Sequence, residues 1–395
     1  MTVVSFRDLR FEREGEFIKS TLLKIFVFRI PVSDLLLISR FCIRKGALVF
    51  QSDSDRVKAR FGFLLSKHMG NLVNSINGRR AVYVHQESGI PLLGNGSFGI
   101  VDRGTSLIEV KPVTGCNLNC IYCSIDEGMS RKQLDYVIEK EYLVNVFREL
   151  VEYKGCDGIE AHIGPNGEPL LYGAIVELVA DIAAIDRVKT ISIDTNGAML
   201  TKGLANELID AGLTRFNLSL NSLDPVIARK MAGCRYDVEE VIRVARSIAD
   251  HCVITPVWLP GFNDAEIPKL IGFAKEIGAG TGIQKYLNYR FGRNPAKEIS
   301  WDQFYRQLRE WEEQYGVKLL LDPGSFNIVK AKSLPKPFKK GDVVFAETAV
   351  EGRRAGEMLA VSSGRTITVP NCRRHGRIKI RITRSKHNIF FGKLI

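Results

Sequence analysis

The sequence predicts an α/β fold, a parallel sheet with outer helices, followed by a small all-β unit. Three observations lead there. Between Ser106 and about Asp322, short β-branched runs alternate with longer amphipathic segments, the signature of consecutive βα units. Polar, glycine-containing segments fall where those strands would end, and parallel α/β sheets place their chemistry at the carboxyl ends of strands. After Leu334 the chain turns to short strand-like runs punctuated by glycine, as in a small barrel.

The 395 residues, 45% of them hydrophobic, suffice for one large domain and one or two small ones. Eight cysteines are present, and five of them (Cys42, Cys156, Cys234, Cys252 and Cys372) show no pairing pattern. Without a recognisable secretory signal, this reads as a reducing, cytoplasmic protein and not a disulfide scaffold. The apolar stretch Phe17 to Phe50 is interrupted by Lys19, Lys24, Arg29, Asp34, Arg40, Arg44 and Lys45, so it lacks the roughly 20 uncharged residues of a membrane span. The net charge of +12 is uneven. Residues 334–395 hold fourteen Lys and Arg against four Asp and Glu, which places +10 of it in the tail. A basic end-domain on a near-neutral body suits a polyanionic partner.

Residues 1–68 form an unassigned N-terminal extension. Phe26–Ile30 and Ala47–Phe50 have strand character, but Leu35–Ile38 has no clean period. The expectation here is a natural start at Met69, with 1–68 as upstream sequence. In 69–105, Ala81–His85 and Phe98–Asp102 flank a Gly/Pro/Asn-rich loop, as in a hairpin. Six βα units follow in 106–325. Ile108–Val113 precedes a helix near Arg131–Tyr153, Gly158–Ile163 one near Tyr172–Ile185, and Val188–Ile193 one near Lys202–Ala211. Arg215–Leu220 precedes Val238–Asp250, Cys252–Leu259 precedes Ala265–Ile277, and Thr281–Tyr286 precedes Trp301–Tyr315.

Directly after the first strand stands Cys116-Asn-Leu-Asn-Cys120-Ile-Tyr-Cys123. Three thiolates can hold three corners of a cubane, leaving one iron open to a non-protein ligand. Zinc usually takes four ligands from two separated pairs, and the chain has no second CxxC. The spacing, with the aromatic Tyr122 before the third cysteine, resembles the radical S-adenosylmethionine (SAM) superfamily. That resemblance implies a partial (βα)6 barrel and a 4Fe-4S cluster at Cys116, Cys120 and Cys123. SAM would chelate the open iron and be split to a 5′-deoxyadenosyl radical, with Tyr122 near the adenine. A ferredoxin-type electron donor is the family expectation.

Further segments resemble the family in order, and the barrel is similar to that of the molybdenum-cofactor GTP cyclase. Gly164-Pro-Asn-Gly-Glu168 is similar to the GGE motif, with Asn166 replacing the first glycine. Gly167 would let the backbone approach SAM, and Glu168 would take its ammonium. Asp194-Thr-Asn-Gly197 and Leu218-Ser-Leu-Asn-Ser-Leu-Asp224 resemble segments that touch the ribose and carboxylate, implicating Thr195, Asn196, Ser219 and Asn221. Each also reads locally as a turn or a helix cap. Pro256 to Glu266 resembles an adenine cradle, with Val257 and Gly261 as its contacts. Asn288 to Arg293 is a basic, glycine-containing loop suited to a phosphate or simply to solvent.

The tail, 334–395, resembles the TRAM domain, an OB-like RNA-binding barrel. The matching features are Lys340-Gly-Asp, Gly356-Glu, Val369-Pro370, Lys379-Ile-Arg-Ile and Lys386-His-Asn. Arg353, Arg354, Arg373, Arg374, Arg377, Arg381, Arg384 and Lys386 would then meet phosphates or stack on bases. The combination implies C–H functionalisation of an RNA nucleoside, first of all tRNA, with C-methylation of a hypermodified base near the anticodon the leading reaction. Cys234 is the candidate methyl carrier. A radical maturase for a protein or small-molecule substrate, and a non-enzymatic RNA-binding Fe-S protein, are the alternatives. Methylthiotransferases need three more cluster cysteines before the barrel, where only Cys42 stands. The cyclase carries a second three-cysteine set that the tail lacks.

Overall fold

The computed structural model describes residues 1–52, 55–127, 134–164 and 166–395. The chain opens with β1 (Thr2–Val4), β2 (Leu9–Glu14), β3 (Phe17–Leu22) and β4 (Phe26–Pro31). Their period-two burial, with Phe11, Ile18, Phe26, Phe28 and Ile30 inward, is what a half-buried antiparallel sheet requires. There follow α1 (Val32–Leu36), β5 (Phe41–Arg44), β6 (Ala47–Phe50), α2 (Asp55–Met69), β7 (Val73–Asn74) and β8 (Arg80–Val84). Strands β2, β3, β4, β7 and β8 lie side by side in one six-stranded sheet, and β11 (Leu134–Ile138), from beyond the cysteine loop, completes it. Phe61 of α2 meets Phe11 edge-on at 5.8 Å and Phe50 at 6.1 Å. Residues 1–68 thus supply strands and core to the main body, where the sequence alone gave them no assignment.

The hairpin expected in 69–105 does not form. Its first strand joins that six-stranded sheet, whereas β9 (Gly99–Asp102) pairs antiparallel with β10 (Leu107–Lys111) in another. The reason lies in the intervening loop, which is committed elsewhere. Leu93 and Gly94 carbonyls accept from Thr366 and Phe390 amides at 2.8 and 2.9 Å. A Cβ on Gly94 would lie 2.3 Å from the Thr366 carbonyl oxygen.

The second sheet carries the parallel core. From β10 it runs through β12 (Ile159–Ile163), β13 (Val188–Thr195), β14 (Arg215–Leu218) and β15 (Cys252–Ile254) to β17 (Gly280–Thr281), all parallel. It is open, with β9 and β17 at its edges. A short parallel pair, β16 (Val257–Trp258) and β18 (Gln284–Lys285), extends the last two strands. The helices are α3 (Lys140–Lys154), α4 (Ile175–Ala183), α5 (Lys202–Asp210), α6 (Pro225–Ala232), α7 (Val238–Ser247), α8 (Glu266–Ile277) and α9 (Trp301–Tyr315). The expected helix start at Arg131 lies outside the described residues, and Leu134–Ile138 is strand. Helix α6 starts where the Ser222-Leu-Asp224 segment reads locally as a helix cap: the Asp224 carboxylate accepts from Val226 and Ile227 amides at 2.8 and 3.0 Å.

The tail closes into a five-stranded barrel of β19 (Val343–Glu351), β20 (Met358–Ser362), β21 (Arg365–Val369), β22 (Arg377–Arg384) and β23 (Phe390–Leu394), in the order β19-β20-β21-β23-β22. Ile367, Val369, Ile378, Ile380, Ile382 and Phe390 fill it. Strand β23 pairs with both β21 and β22, and closure needs it. This barrel is seated on the body: Tyr136 Oη donates to the Glu351 carbonyl at 2.6 Å.

Candidate active site

The cysteine loop leaves the carboxyl end of β10 and is gripped from two sides. Asn119 and Ile121 amides donate to Ala232 and Met231 carbonyls at the end of α6, at 2.9 and 3.0 Å. Gly233, at φ +66°, caps that helix, and a Cβ there would lie 2.0 Å from the Asn119 carbonyl oxygen. On the other side Arg293 donates to the carbonyls of Asn119 (2.6 Å), Cys120 (3.0 Å) and Glu127 (2.7 Å), and to the Asp126 carboxylate at 2.8 Å. Arg293 was expected to face a phosphate or solvent. Its guanidinium is consumed by the loop, a role for which the sequence gives no local signal.

A cavity of about 270 Å³ sits above the loop, at the strand ends. Cys116, Cys120, Cys123, Tyr122, Gly167, Glu168, Thr195, Asn196, Ser219 and Val257 line it. Ten of the twelve residues expected at the cluster and SAM therefore surround one space. Gly167 lets two backbone segments cross: a Cβ there would lie 2.1 Å from the Gly115 carbonyl oxygen. Glu168 is buried, and its carboxylate accepts from Thr195 Oγ1 (2.7 Å) and from the amides of Asn196 (2.8 Å) and Leu170 (3.1 Å). Burial pushes its carboxyl up to about 7, against those hydrogen bonds.

The two others lie elsewhere. Asn221 stands behind the wall with its amide committed: Nδ2 donates to Tyr122 Oη at 2.7 Å and Oδ1 accepts from Val257 N at 2.8 Å. It fixes two cavity residues and is not itself a lining group. Gly261 is exposed, and its amide donates to Asp264 at 2.6 Å. The reason is local: Asn263 folds the segment back, accepting from Leu259 N and donating to Asn221 and Val257 carbonyls. Cys234 is also outside the lining, its thiol 3.9 Å from the Asn117 carbonyl oxygen. Pro165 of the GGE-like segment is outside the described residues.

The three thiols fit a cluster. They converge on the cavity, and backbone amides of Leu118 and Glu127 donate to Cys116 and Cys123 sulfurs at 3.4 and 3.2 Å. Burial raises the Cys116 thiol well above its ordinary range and pushes Cys120 up to about 12, so metal must displace protons to bind. Among the described residues no three His, Cys, Asp or Glu side chains converge as on a single ion. A cubane instead takes one thiolate per iron at separated corners.

A second cavity of about 740 Å³ adjoins the first, sharing Ser124, Ile125 and Tyr289. Its far wall is the C-terminal barrel, with Arg354, Asn371, Arg384 and Phe391, and its near wall carries Arg290 and Phe291. The Arg354 guanidinium lies 3.5 Å from the Phe291 ring centroid, and Arg290 lies 5.0 Å from it. Of the expected RNA contacts, Arg354 and Arg384 reach this cavity. Arg373, Arg374, Arg377, Arg381 and Lys386 are exposed over the rest of the barrel. Arg353 is a correction: only 6% exposed, it is held by Glu127 and Asp135, and its charge is unavailable to a phosphate.

Residues 110–274 match the radical SAM superfamily. An uncharacterised protein of Methanocaldococcus jannaschii is 36% identical, over 82% of this chain and 83% of that one. The chain belongs to the radical SAM superfamily. A GTP 3′,8-cyclase of Listeria monocytogenes is 34% identical over 47% of this chain and 52% of its own length, so this radical SAM enzyme spans about half of the cyclase it resembles. The solved structure of Streptococcus suis SuiB bound to its precursor peptide SuiA aligns with a TM-score of 0.45 and 15% identity, over 80% of this chain and 72% of that one. The superfamily uses a 4Fe-4S cluster with SAM, which together supply an electron and a radical able to break C–H bonds. The chain's own share is to hold, cover and orient. No described helix is long and apolar enough to cross a membrane.

Proposed function

We propose that this radical SAM enzyme modifies a nucleoside of structured RNA, tRNA first among them, by functionalising a C–H bond, with C-methylation the leading reaction. The supporting observation is the adjoining cavity. Its walls interleave Arg290, Arg354 and Arg384 with Tyr289, Phe291 and Phe391, the residue types that stack on splayed bases and pair with phosphates. It opens directly onto the cysteine loop, so a base extruded from a folded RNA would reach the chemistry while its backbone met the basic barrel. In this reading the tail is a TRAM-like module, Glu168, Thr195, Asn196, Ser219 and Val257 contact SAM, and a ferredoxin-type donor reduces the cluster. Cys234, outside both cavities, is a poor methyl carrier in this arrangement.

The test is anaerobic. Reconstituted protein, SAM, reductant and tRNA from a strain lacking the gene are incubated, then 5′-deoxyadenosine and digested nucleosides are followed by mass. RNA-dependent 5′-deoxyadenosine with a nucleoside gaining one CH2 supports the proposal in full. A different mass gain keeps the RNA and replaces the reaction. SAM cleavage indifferent to RNA removes RNA from the reading and directs the search to protein substrates.

A further inference from the structure

We propose that Arg353 is a positioning residue for the iron–sulfur cluster, by which the C-terminal barrel sets both ends of the cysteine loop. The inference rests on the superfamily's cluster and not on the RNA reading, so its test contains no RNA. Arg353 leaves the turn after β19 and enters the body against β11 and the cysteine loop. Both oxygens of the Glu127 carboxylate accept from it, Oε2 at 3.0 Å. The same guanidinium donates to Asp135 Oδ1 at 2.9 Å and to the Leu134 carbonyl at 3.2 Å.

Each acid then touches one end of the loop. The Glu127 amide donates to Cys123 Sγ at 3.2 Å. Asp135 Oδ2 fills the space beside Gly115, the residue before Cys116, where a Cβ would lie 2.7 Å from it. Asn74 and Asn77 hold that oxygen at 3.0 and 2.8 Å. Arg79 lies 3.5 Å from Glu127 and 3.7 Å from Asp135, giving two acids and two guanidiniums in a buried node. Both acids are almost wholly buried, and Arg353 comes from more than 200 residues away in sequence. An N–H directed at a cluster thiolate tunes its potential, and outer groups that orient ligands govern metal retention.

The experiment uses full-length Arg353→Gln and Arg353→Lys, reconstituted anaerobically without RNA. Three quantities are read: chelator-driven iron loss, the electron paramagnetic resonance spectrum of the reduced cluster, and its midpoint potential, with thermal melting as a check of folding. Arg353→Gln is expected to lose iron roughly tenfold faster, with altered g-values and a more negative potential as the Glu127 N–H retreats from sulfur. Arg353→Lys, which keeps the charge and loses the two-pronged geometry, falls between. If Arg353→Gln does not fold, Arg353→Lys decides alone. Folded variants with the parent's iron retention, spectrum and potential overturn the proposal. So does an equal change in Arg374→Ala, which alters an exposed arginine of the same barrel.

Discussion

Replacing Arg293 by alanine removes four hydrogen bonds from the cysteine loop, to Asn119, Cys120, Asp126 and Glu127. The backbone bond from its own amide to the Cys123 carbonyl, 2.9 Å, remains. Bonds made by a charged group contribute about 1.5–3 kcal/mol each when fully buried. The Arg293 side chain is 20% exposed, so water re-solvates some of the freed carbonyls. Taking roughly 1 kcal/mol per bond gives about 4 kcal/mol, close to a 1,000-fold shift in the loop's opening equilibrium. The effect is local, because the strands that carry the loop keep their own ladders. Hydrogen exchange of peptides covering 116–127 in the metal-free protein should therefore accelerate strongly while the melting temperature moves little. Iron per chain after reconstitution should fall. Arg293→Lys, able to satisfy only part of the set, should lie between. Exchange within threefold of the parent, together with full iron loading, would refute the claim that Arg293 holds the loop.

Arg354→Ala and Arg384→Ala should each weaken tRNA binding and reduce the slope of log K against log salt by roughly 0.7–0.9 per lost phosphate contact. Filter binding across a salt series reads this, and an unchanged slope takes these residues off the RNA path. Glu168 gives a pH dependence. Its carboxyl rises from 4.5 to about 7 in the fold, so protonation stabilises the SAM-free protein fully below about pH 4.5, and that stability is lost as pH rises through about 7. Binding of an ammonium runs the other way. SAM affinity should plateau above about pH 8 and weaken about tenfold between there and pH 6, and Glu168→Gln should flatten the curve in calorimetric titrations. Phe26→Ala, emptying a fully buried site in β4, should cost about 3–5 kcal/mol in denaturant melts. A loss under about 1 kcal/mol would detach 1–68 from the cooperative core.

The parallel core and its motifs were legible because they obey short-range rules. A β-branched run followed by a polar turn and an amphipathic helix repeats on one period, and the chemistry sits at fixed strand ends. Cys116, Glu168, Thr195 and Ser219 were marked by their resemblance to family motifs, and they line one cavity. What escaped depends on contacts with no local signature. Leu134–Ile138 has strand composition, but its partner β8 lies some fifty residues earlier, and the two pair in the six-stranded sheet and not in the parallel core, so the run merges with the following helix when read from sequence. Asn221 carries the residue type that binds a ribose, and only its distances to Tyr122 and Val257 reveal that both ends of its amide are spent inside the wall. Arg353 and Arg354 are adjacent and chemically alike. One turns into the body and the other onto the Phe291 ring, a difference that period and charge do not encode.

That divergence bears on how the tail should be tested. Deleting residues 334–395 looks like the direct experiment on RNA binding, since most of the excess charge lies there. It would also withdraw Arg353 from Glu127 and Asp135, two acids with almost no solvent access. Breaking a buried charge pair by removing one partner costs about 3–5 kcal/mol, and here the loss falls beside Cys123. A truncated protein that failed to act on RNA would therefore have failed for either of two reasons. Exposed positions separate them. Arg377 and Arg381 lie on the outward face of β22, away from the node. Changing them together to alanine should lower RNA affinity while leaving iron content and RNA-independent SAM cleavage at the parent level. If instead RNA affinity is unmoved and Arg354→Ala alone abolishes it, the barrel acts through the cavity wall, and its outward charge has no part in recognition.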